Sequence, residues 1–212
     1  MKKAILILSM LIGIASAHAQ IPAEVTTVMN KCRAAMSNAN GLEYEMDMKA
    51  GMGPVSMKMH FVVADKGKLN RTTVITKILG MEVTTESGFD GTDTWEIKHY
   101  EKSDTITFTR GNKNKKGSGA LDLDLDKQYN KAKMKLKDGY HEITFSDPKD
   151  KSCELKSVDV KISAKNHTIR EVRGGARGAK VTMTVTKIRV GLPDSHFKPN
   201  LTQYPNAVVI RK

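Results

Sequence analysis

The chain has 212 residues and is strongly basic, with 35 lysines and arginines against 23 aspartates and glutamates and a net charge of +12. This length suits one domain with a sizeable core. The charge favours acidic partners such as phospholipid headgroups, lipopolysaccharide or nucleic acid, although most lysines recur at solvent-facing strand positions, which indicates solvated surface.

Residues 1–19 have the pattern of a cleavable secretory signal peptide. A basic start and an apolar stretch precede Ala17-His18-Ala19, which fits the small-residue cleavage site. The apolar stretch is shorter than the roughly 20 residues of a membrane-spanning helix, which argues against an uncleaved anchor. Gln20 stands where a bacterial lipoprotein would carry its acylated cysteine. We therefore expect residues 20–212 to act as one soluble periplasmic domain, and export argues against a nucleic-acid partner.

The first element after the signal is an amphipathic helix. Its apolar positions recur at helical spacing, and Asn40 and Gly41 mark its end. These positions are Val25, Val28, Met29, Cys32, Ala35 and Met36.

From Leu42 onward the period changes to two, which predicts half-buried strands. Apolar residues alternate with charged ones up to Met48, residues 51–54 form a turn, and a second alternating strand runs from Val55 to Val63. Further strands follow, separated by turns rich in glycine, aspartate, proline or asparagine, in an antiparallel meander. Only residues 111–130 break this rhythm, and there we favour a flap over a short helix or another strand.

The fold class predicted from these elements is mainly β. A long succession of strands with one main helix favours an unclosed antiparallel β-barrel or strongly curved sheet, covered by the N-terminal helix and a lid segment.

No pattern typical of an enzyme is present in the sequence. The histidines do not form metal-binding spacings, and no nucleophile-and-base motif is recognisable. We therefore expect neither catalytic residues nor a metal or cofactor. Cys32 and Cys153 are the only cysteines; they could form a disulfide in an oxidising compartment, or Cys32 could be a buried free thiol.

Methionines are unusually frequent on the apolar faces of the predicted strands, where β-branched and aromatic residues are usual. A flexible, polarizable methionine lining can adapt to apolar ligands of varying shape, although ordinary core packing also uses methionine. One helix is also small for covering such a sheet, which favours a cavity for acyl chains. The candidate lining residues are Met29, Met36, Tyr44, Met46, Met48, Met57, Met59, Phe61, Met81, Phe89, Trp95 and Ile97.

Several short motifs resemble those of the LolA type of periplasmic outer-membrane lipoprotein carriers, in the LolA/LolB superfamily. They are the aspartate-glycine turn and strand tryptophan in 88–95, the strand 181–190, the proline-to-phenylalanine segment 192–197 and the proline-led strand 204–210. The similarity extends from about residue 23 to 210. Where enterobacterial members have an arginine-proline pair, this chain has Val63-Ala64-Asp65-Lys66, so the arginine's regulatory role is not transferred.

The resemblance implies a monomeric carrier that takes the acyl chains of lipoproteins from an inner-membrane release complex and passes them to an outer-membrane acceptor. Two other functions remain open: a lipid or envelope-stress sensor with the same fold, and a structural β-domain without ligand.

Overall fold

The computed structural model describes residues 21–37, 40–52, 55–78, 80–100, 103–111, 124–176 and 178–212. The predicted signal peptide, residues 1–19, lies outside these ranges. Across the described ranges, no helix is both long enough and apolar enough to cross a membrane.

The elements in chain order are α1 (Ala23–Ala35), β1 (Leu42–Met52), β2 (Val55–Lys66), β3 (Leu69–Ile78), β4 (Met81–Phe89), β5 (Asp93–Tyr100), β6 (Ser103–Arg110), α2 (Leu125–Gln128), β7 (Tyr129–Lys137), β8 (Tyr140–Pro148), β9 (Ser157–Ser163), β10 (Ile169–Ala176), β11 (Ala179–Val190), two 3-10 helices (Asp194–Phe197 and Leu201–Gln203) and β12 (Val208–Arg211).

All twelve strands belong to one sheet, in the order β12-β6-β5-β4-β3-β2-β1-β11-β10-β9-β8-β7. It consists of two meanders, β1 to β6 and β7 to β11, joined by the antiparallel pair β1 and β11. The edges β12 and β7 do not pair with each other, so the predicted unclosed, curved sheet is confirmed. Two details differ from a single antiparallel meander: β6 and β7 lie far apart in the sheet, and β12 runs parallel to β6.

The helix α1 packs on one face of this sheet, which we call the inner face. Its buried side chains are the apolar stripe predicted from the sequence, with Met29 and Cys32 fully buried. They join one core cluster with Tyr44 and Met46 of β1 and with Phe145 of β8. Because a single helix contacts strands that are so far apart in the sheet order, the sheet must curve around it.

The opposite face, the outer face, carries a second apolar layer that the sequence pattern did not predict. The C-terminal segment 192–207 covers it beside β2 to β6. Under this segment lie Trp95, Ile97, Ile106 and Phe108, packed against Tyr204 and Ala207, and separately Ala64 packed against Leu192 and Phe197.

Buried polar contacts hold the C-terminal segment on the outer face. Arg71 donates to Glu86 Oε2 at 2.6 Å and to the carbonyl oxygen of His196 at 3.3 Å. Tyr204 donates from its hydroxyl to Glu86 Oε1 at 2.8 Å, and the His196 ring nitrogen lies 2.6 Å from Glu43 Oε2. The pKa of Tyr204 is raised to about 12, mainly by burial and then by this bond to Glu86. Glu43 and Glu86 are almost fully buried, so these charge-assisted bonds offset their desolvation.

The predicted flap at 111–130 is only partly described. Gly111 bridges to Asp93, Leu125–Gln128 form the short helix α2, and Tyr129 begins β7. Residues 112–123 lie outside the described ranges. The part described therefore contains the short helix and the strand that were alternatives to a flap.

Candidate functional site

One level of the inner face forms a continuous row of mostly apolar side chains, which we call the methionine row. Residues directly opposite each other on neighbouring strands share a face, so the strand register identifies its members. From β7 to β4 they are Met134, Ile143, Val160, Val172, Met183, Met48, Met59, Thr76 and Val83.

Met48 lies at the centre of this row. It is directly opposite Met183 on β11 and Met59 on β2, so Cβ atoms of neighbours are about 5 Å apart. All three methionines are only half-buried. Since methionine side chains are unbranched and flexible, these three strands present an adjustable apolar surface.

The helix covers one end of the inner face and leaves the other end open. Tyr44 of β1, near the end of α1, is 3% exposed, whereas Met57 is 47% and Met81 45% exposed near the β1–β2 and β3–β4 hairpins. These two methionines lie one level beyond the methionine row on the same face. The described residues thus leave a group of large apolar side chains partly in water, which is typical of a binding surface.

Hydroxyl groups replace apolar side chains toward β3 and β4. Thr76 continues the methionine row, and Thr85 lies opposite Val74 one level nearer to the helix end. The Oγ1 atom of Thr76 is buried without a hydrogen-bond partner among the described residues. The inner face therefore changes from purely apolar at β11, β1 and β2 to mixed at β3 and β4.

A polar pair, Asp65 and Asn70, lies on the inner face at its covered end. They are directly opposite each other on β2 and β3, next to Leu42 and Phe89 in the same row. Burial raises the pKa of Asp65 to about 6, because a carboxylate loses its hydration there. Within the described part of the chain, Asn70 Oδ1 is also buried without a partner.

The structure divides the residues predicted to line a cavity into three groups. Met29, Met36, Tyr44 and Met46 are buried together between α1 and the sheet. Met48, Met57, Met59 and Met81 lie on the inner face beyond the helix, Phe61 packs against the buried group opposite Met46, and Phe89 lies on that face beside Asn70. Trp95 and Ile97 do not join them.

Trp95 and Ile97 lie on the outer face, and the prediction that they share a lining with the methionines is corrected. Phe89 on the inner face is opposite Thr94, so the next residue, Trp95, points the other way and is opposite Gly88. The apolar side of β5 is outward because the C-terminal segment covers it. Alternation alone separates the two faces of a strand without identifying which one the helix covers.

Sequence reasoning missed several members of the methionine row, notably Met183, Val172 and Met134. Each of them lies in β11, β10 or β7, where the sequence already predicted a strand. What the sequence did not show is that β11 pairs with β1, which brings Met183 beside Met48.

The two cysteines are both free thiols. Cys32 is fully buried in α1, and burial raises the pKa of its thiol to about 11. Cys153 is half-buried in the β8–β9 loop, where its sulfur lies 3.6 Å from the carbonyl oxygen of Leu155. Within the described ranges, no three histidine, cysteine, aspartate or glutamate side chains come together as a metal site.

Comparison with solved structures identifies several proteins to which this chain is similar. The lipoprotein LppX of Mycobacterium tuberculosis has a TM-score of 0.51 at 9% identity, over 81% of this chain and 97% of its own. An uncharacterised conserved protein of Thermus thermophilus has a TM-score of 0.49 at 9% identity, covering 89% and 99%. A LolA superfamily protein of Nitrosomonas europaea has a TM-score of 0.34 at 10% identity, covering 82% and 97%.

No protein-family model and no curated protein sequence matches the chain. The likeness to LppX shows that the chain shares the fold of that protein.

Proposed function

We propose that the chain is a periplasmic carrier that binds the acyl chains of lipoproteins along the methionine row and moves them from the inner to the outer membrane. The observation that carries this proposal is the half-exposed methionine surface beyond α1, formed by Met48, Met59 and Met183 with Met57 and Met81. The sequence resemblance to LolA-type carriers supports it, as does the signal-peptide pattern of residues 1–19.

The dimensions of this surface suit an acyl chain. Neighbouring strands are about 4.8 Å apart, so the part of the row from Val172 on β10 to Val83 on β4 extends over roughly 24 Å. Each methylene group that leaves water contributes about 0.8 kcal/mol. Binding would therefore be strong even without specific polar contacts, and flexible methionines would accept chains of different length and shape.

The function we propose is burial without chemical change of the ligand. The side chains of the open surface are thioethers, aliphatic groups and threonine hydroxyls, which do not supply a nucleophile with an adjacent base. Release then depends on an outer-membrane acceptor that offers the acyl chains a better apolar environment. A single copy of the chain presents the whole surface, which supports a monomeric carrier.

Ligand analysis tests the proposal directly. The full chain is expressed in a Gram-negative host, the secreted protein is purified without detergent, and extracted lipids and co-purifying lipoproteins are identified by mass spectrometry. A fluorescent fatty acid then measures affinity for the delipidated protein. We expect co-purified acylated species and saturable probe binding; an empty protein that rejects the probe would overturn the proposal.

A pair of matched variants locates the binding surface. Met48→Asn with Met59→Asn places two polar groups in the methionine row and should weaken probe binding at least tenfold. The control, Val62→Asn with Ile75→Asn, makes equivalent changes on the outer faces of β2 and β3, where the register places these half-buried residues. Equal losses in both variants would contradict the assignment of the inner face.

Transfer is measured separately from binding. Vesicles that contain an acylated lipoprotein are incubated with the protein and with acceptor vesicles, and the movement of lipoprotein is followed by flotation. A carrier accelerates this movement. Tight lipid binding without any transfer would contradict shuttling and favour a lipid sensor.

A further inference from the structure

We infer that the edge strand β7, through Lys131, Lys133, Lys135, Lys137 and the exposed Leu136, is a docking surface for membranes that contain anionic lipid headgroups. This inference goes beyond the proposed carrier function, because it concerns how the protein meets a membrane and does not require any bound cargo.

The four lysines form one row on the outer face of an open edge. They occupy alternate positions of β7, all are exposed, and among the described strands β7 pairs with β8 alone. The strand itself contains no acidic residue. Four like charges are thus aligned along one border of the molecule, at intervals of about 6.6 Å.

Nearby acids balance this row only in part. Glu142 lies 3.0 Å from Lys135 and also 3.6 Å from Lys161. Asp147 likewise contacts Lys151 at 2.7 Å and Lys131 at 3.6 Å. Each carboxylate therefore lies beside two cations, and a positive excess remains along the edge among the described residues.

The remaining two lysines have uncharged neighbours across the ladder. Lys133 is directly opposite Thr144, and Lys137 is opposite Tyr140. Hydrogen bonding to Lys135, together with the charges of Lys135, Lys161 and Lys137, holds the pKa of Glu142 below its ordinary value. The edge is therefore a region of positive potential that attracts anions.

An apolar side chain protrudes from the same edge. Leu136 is 67% exposed and lies between Lys135 and Lys137 in the sequence, on the inner side of the strand, whereas the lysines lie on its outer side. An edge strand with lysines on one side and a protruding leucine on the other suits the membrane interface. There the lysines contact lipid phosphates and the leucine enters the region where the acyl chains begin. An acidic protein would satisfy the lysines but would not account for the leucine, so the geometry favours a lipid surface.

Docking along β7 would bring the end of the inner face beside the membrane, because Leu136 lies on the same side of this strand as Met134, opposite to the lysines. Met134 of β7 is the first member of the methionine row, and α1 packs against this strand. A protein held by this edge therefore presents the end of its apolar row to the lipid.

Vesicle binding by the delipidated protein tests this inference. Binding to phosphatidylcholine vesicles is compared with binding to vesicles that also contain phosphatidylglycerol, at low and high salt. We expect a clear preference for the anionic vesicles that decreases as salt screens the lysines. The absence of such a preference would overturn the inference, whereas failure of fatty-acid binding would affect only the carrier proposal.

Two variants with the same net charge distinguish the effect of the β7 lysines from the effect of net charge. The edge variant K131Q/K133Q/K135Q/K137Q should bind anionic vesicles at least tenfold more weakly. The control, K49Q/K58Q/K180Q/K187Q, removes four exposed lysines from β1, β2 and β11 and should stay within about threefold of the parent, since a lysine contributes little away from the surface it docks on. Equal losses in both variants would overturn the inference.

Two further measurements test the roles of the leucine and of the lysines separately. Leu136→Ser should weaken the binding that persists at high salt, because insertion of an apolar group is not screened. Lysines on an edge strand can also serve to prevent edge-to-edge aggregation. If the edge variant aggregates while its monomeric fraction, checked by circular dichroism, still binds anionic vesicles like the parent, the lysines have only that role and the inference is wrong.

Discussion

Trp95 donates a hydrogen bond from its indole Nε1 to the carbonyl oxygen of Phe197 at 3.0 Å, although the two residues are 102 positions apart in the sequence. Both side chains are fully buried. This bond ties β5 to the C-terminal segment and so closes the apolar layer on the outer face. Trp95 is therefore a residue of the fold, on the side of the sheet opposite to the methionine row.

Replacing Trp95 by Phe should lower stability without changing ligand affinity. The ring still fills most of the space, but the buried carbonyl of Phe197 loses its donor, which costs about 1–3 kcal/mol. Urea unfolding and the rate of proteolysis within 192–207 would measure the effect. Loss of fatty-acid affinity at unchanged stability would show instead that Trp95 contacts the ligand.

Substitution of Gly88 by Ala should destabilise the same region. A Cβ at this position would lie 2.4 Å from the carbonyl oxygen of Asn70 and 2.7 Å from the Trp95 ring, so backbone and indole must shift at a cost of about 1–3 kcal/mol. Gly174→Ala is the control, because its Cβ would come closest to the flexible end of Leu155, at 3.3 Å, and would otherwise make ordinary contacts at 3.9 Å or more. Similar urea midpoints for the two variants would contradict this packing.

Thr76→Val should strengthen binding of a fluorescent fatty acid. The change keeps the side-chain shape, removes a hydroxyl that is buried without a partner among the described residues, and makes the methionine row apolar throughout. We expect affinity to rise about threefold, in line with a modest desolvation gain, and stability to be unchanged or slightly higher. Thr84→Val on the outer face of β4 is the control, and an equal gain there would contradict the site.

Asp65→Asn should stabilise the protein at neutral pH but not in acid. Burial raises the pKa of Asp65 to about 6, above its value of about 3.9 in the unfolded chain. The folded state therefore binds the proton more tightly, so the contribution of Asp65 is most favourable below about pH 4 and is lost as the pH rises through about 6.

The difference in unfolding free energy between Asp65→Asn and the parent isolates the contribution of the Asp65 carboxyl group. Urea unfolding at pH 4 should give equal stabilities, whereas at pH 8 the variant should be more stable by on the order of 2 kcal/mol. Asp138→Asn, which removes a carboxylate from an exposed turn, is the control for a change of charge without burial. A variant that is less stable than the parent at pH 8 would indicate that the Asp65 carboxylate has a stabilising partner.

The two thiols should differ strongly in reactivity. Cys32 is fully buried and its thiol pKa is raised to about 11, so little thiolate is present at neutral pH. Cys153 is only half-buried. Labelling with a thiol reagent should modify Cys153 in the folded protein and Cys32 only after unfolding; recovery of a Cys32–Cys153 disulfide from the exported protein would contradict this expectation.

The sequence predicted the secondary structure well because hydrophobic periodicity is a local property. The stripe containing Val25 and Met29 and the alternation from Leu42 to Met48 both appear in the structure as expected. Trp95 and Ile97 were assigned to the wrong face for a physical reason: their strand has one apolar side, and a second layer of structure, far away in the sequence, covers it.

By itself, then, the sequence determined the amphipathic helix, the alternating strands and the mainly β, unclosed fold. Only the tertiary structure decided that β1 pairs with β11, where residues as distant as Glu45 and Thr186, 141 positions apart, come into hydrogen-bond contact. That pairing places Met183 beside Met48 and leaves β7 with its lysines as an open edge. Such choices depend on which distant strands bury the most apolar surface together, and a pattern with a period of two or 3.6 residues does not contain that information.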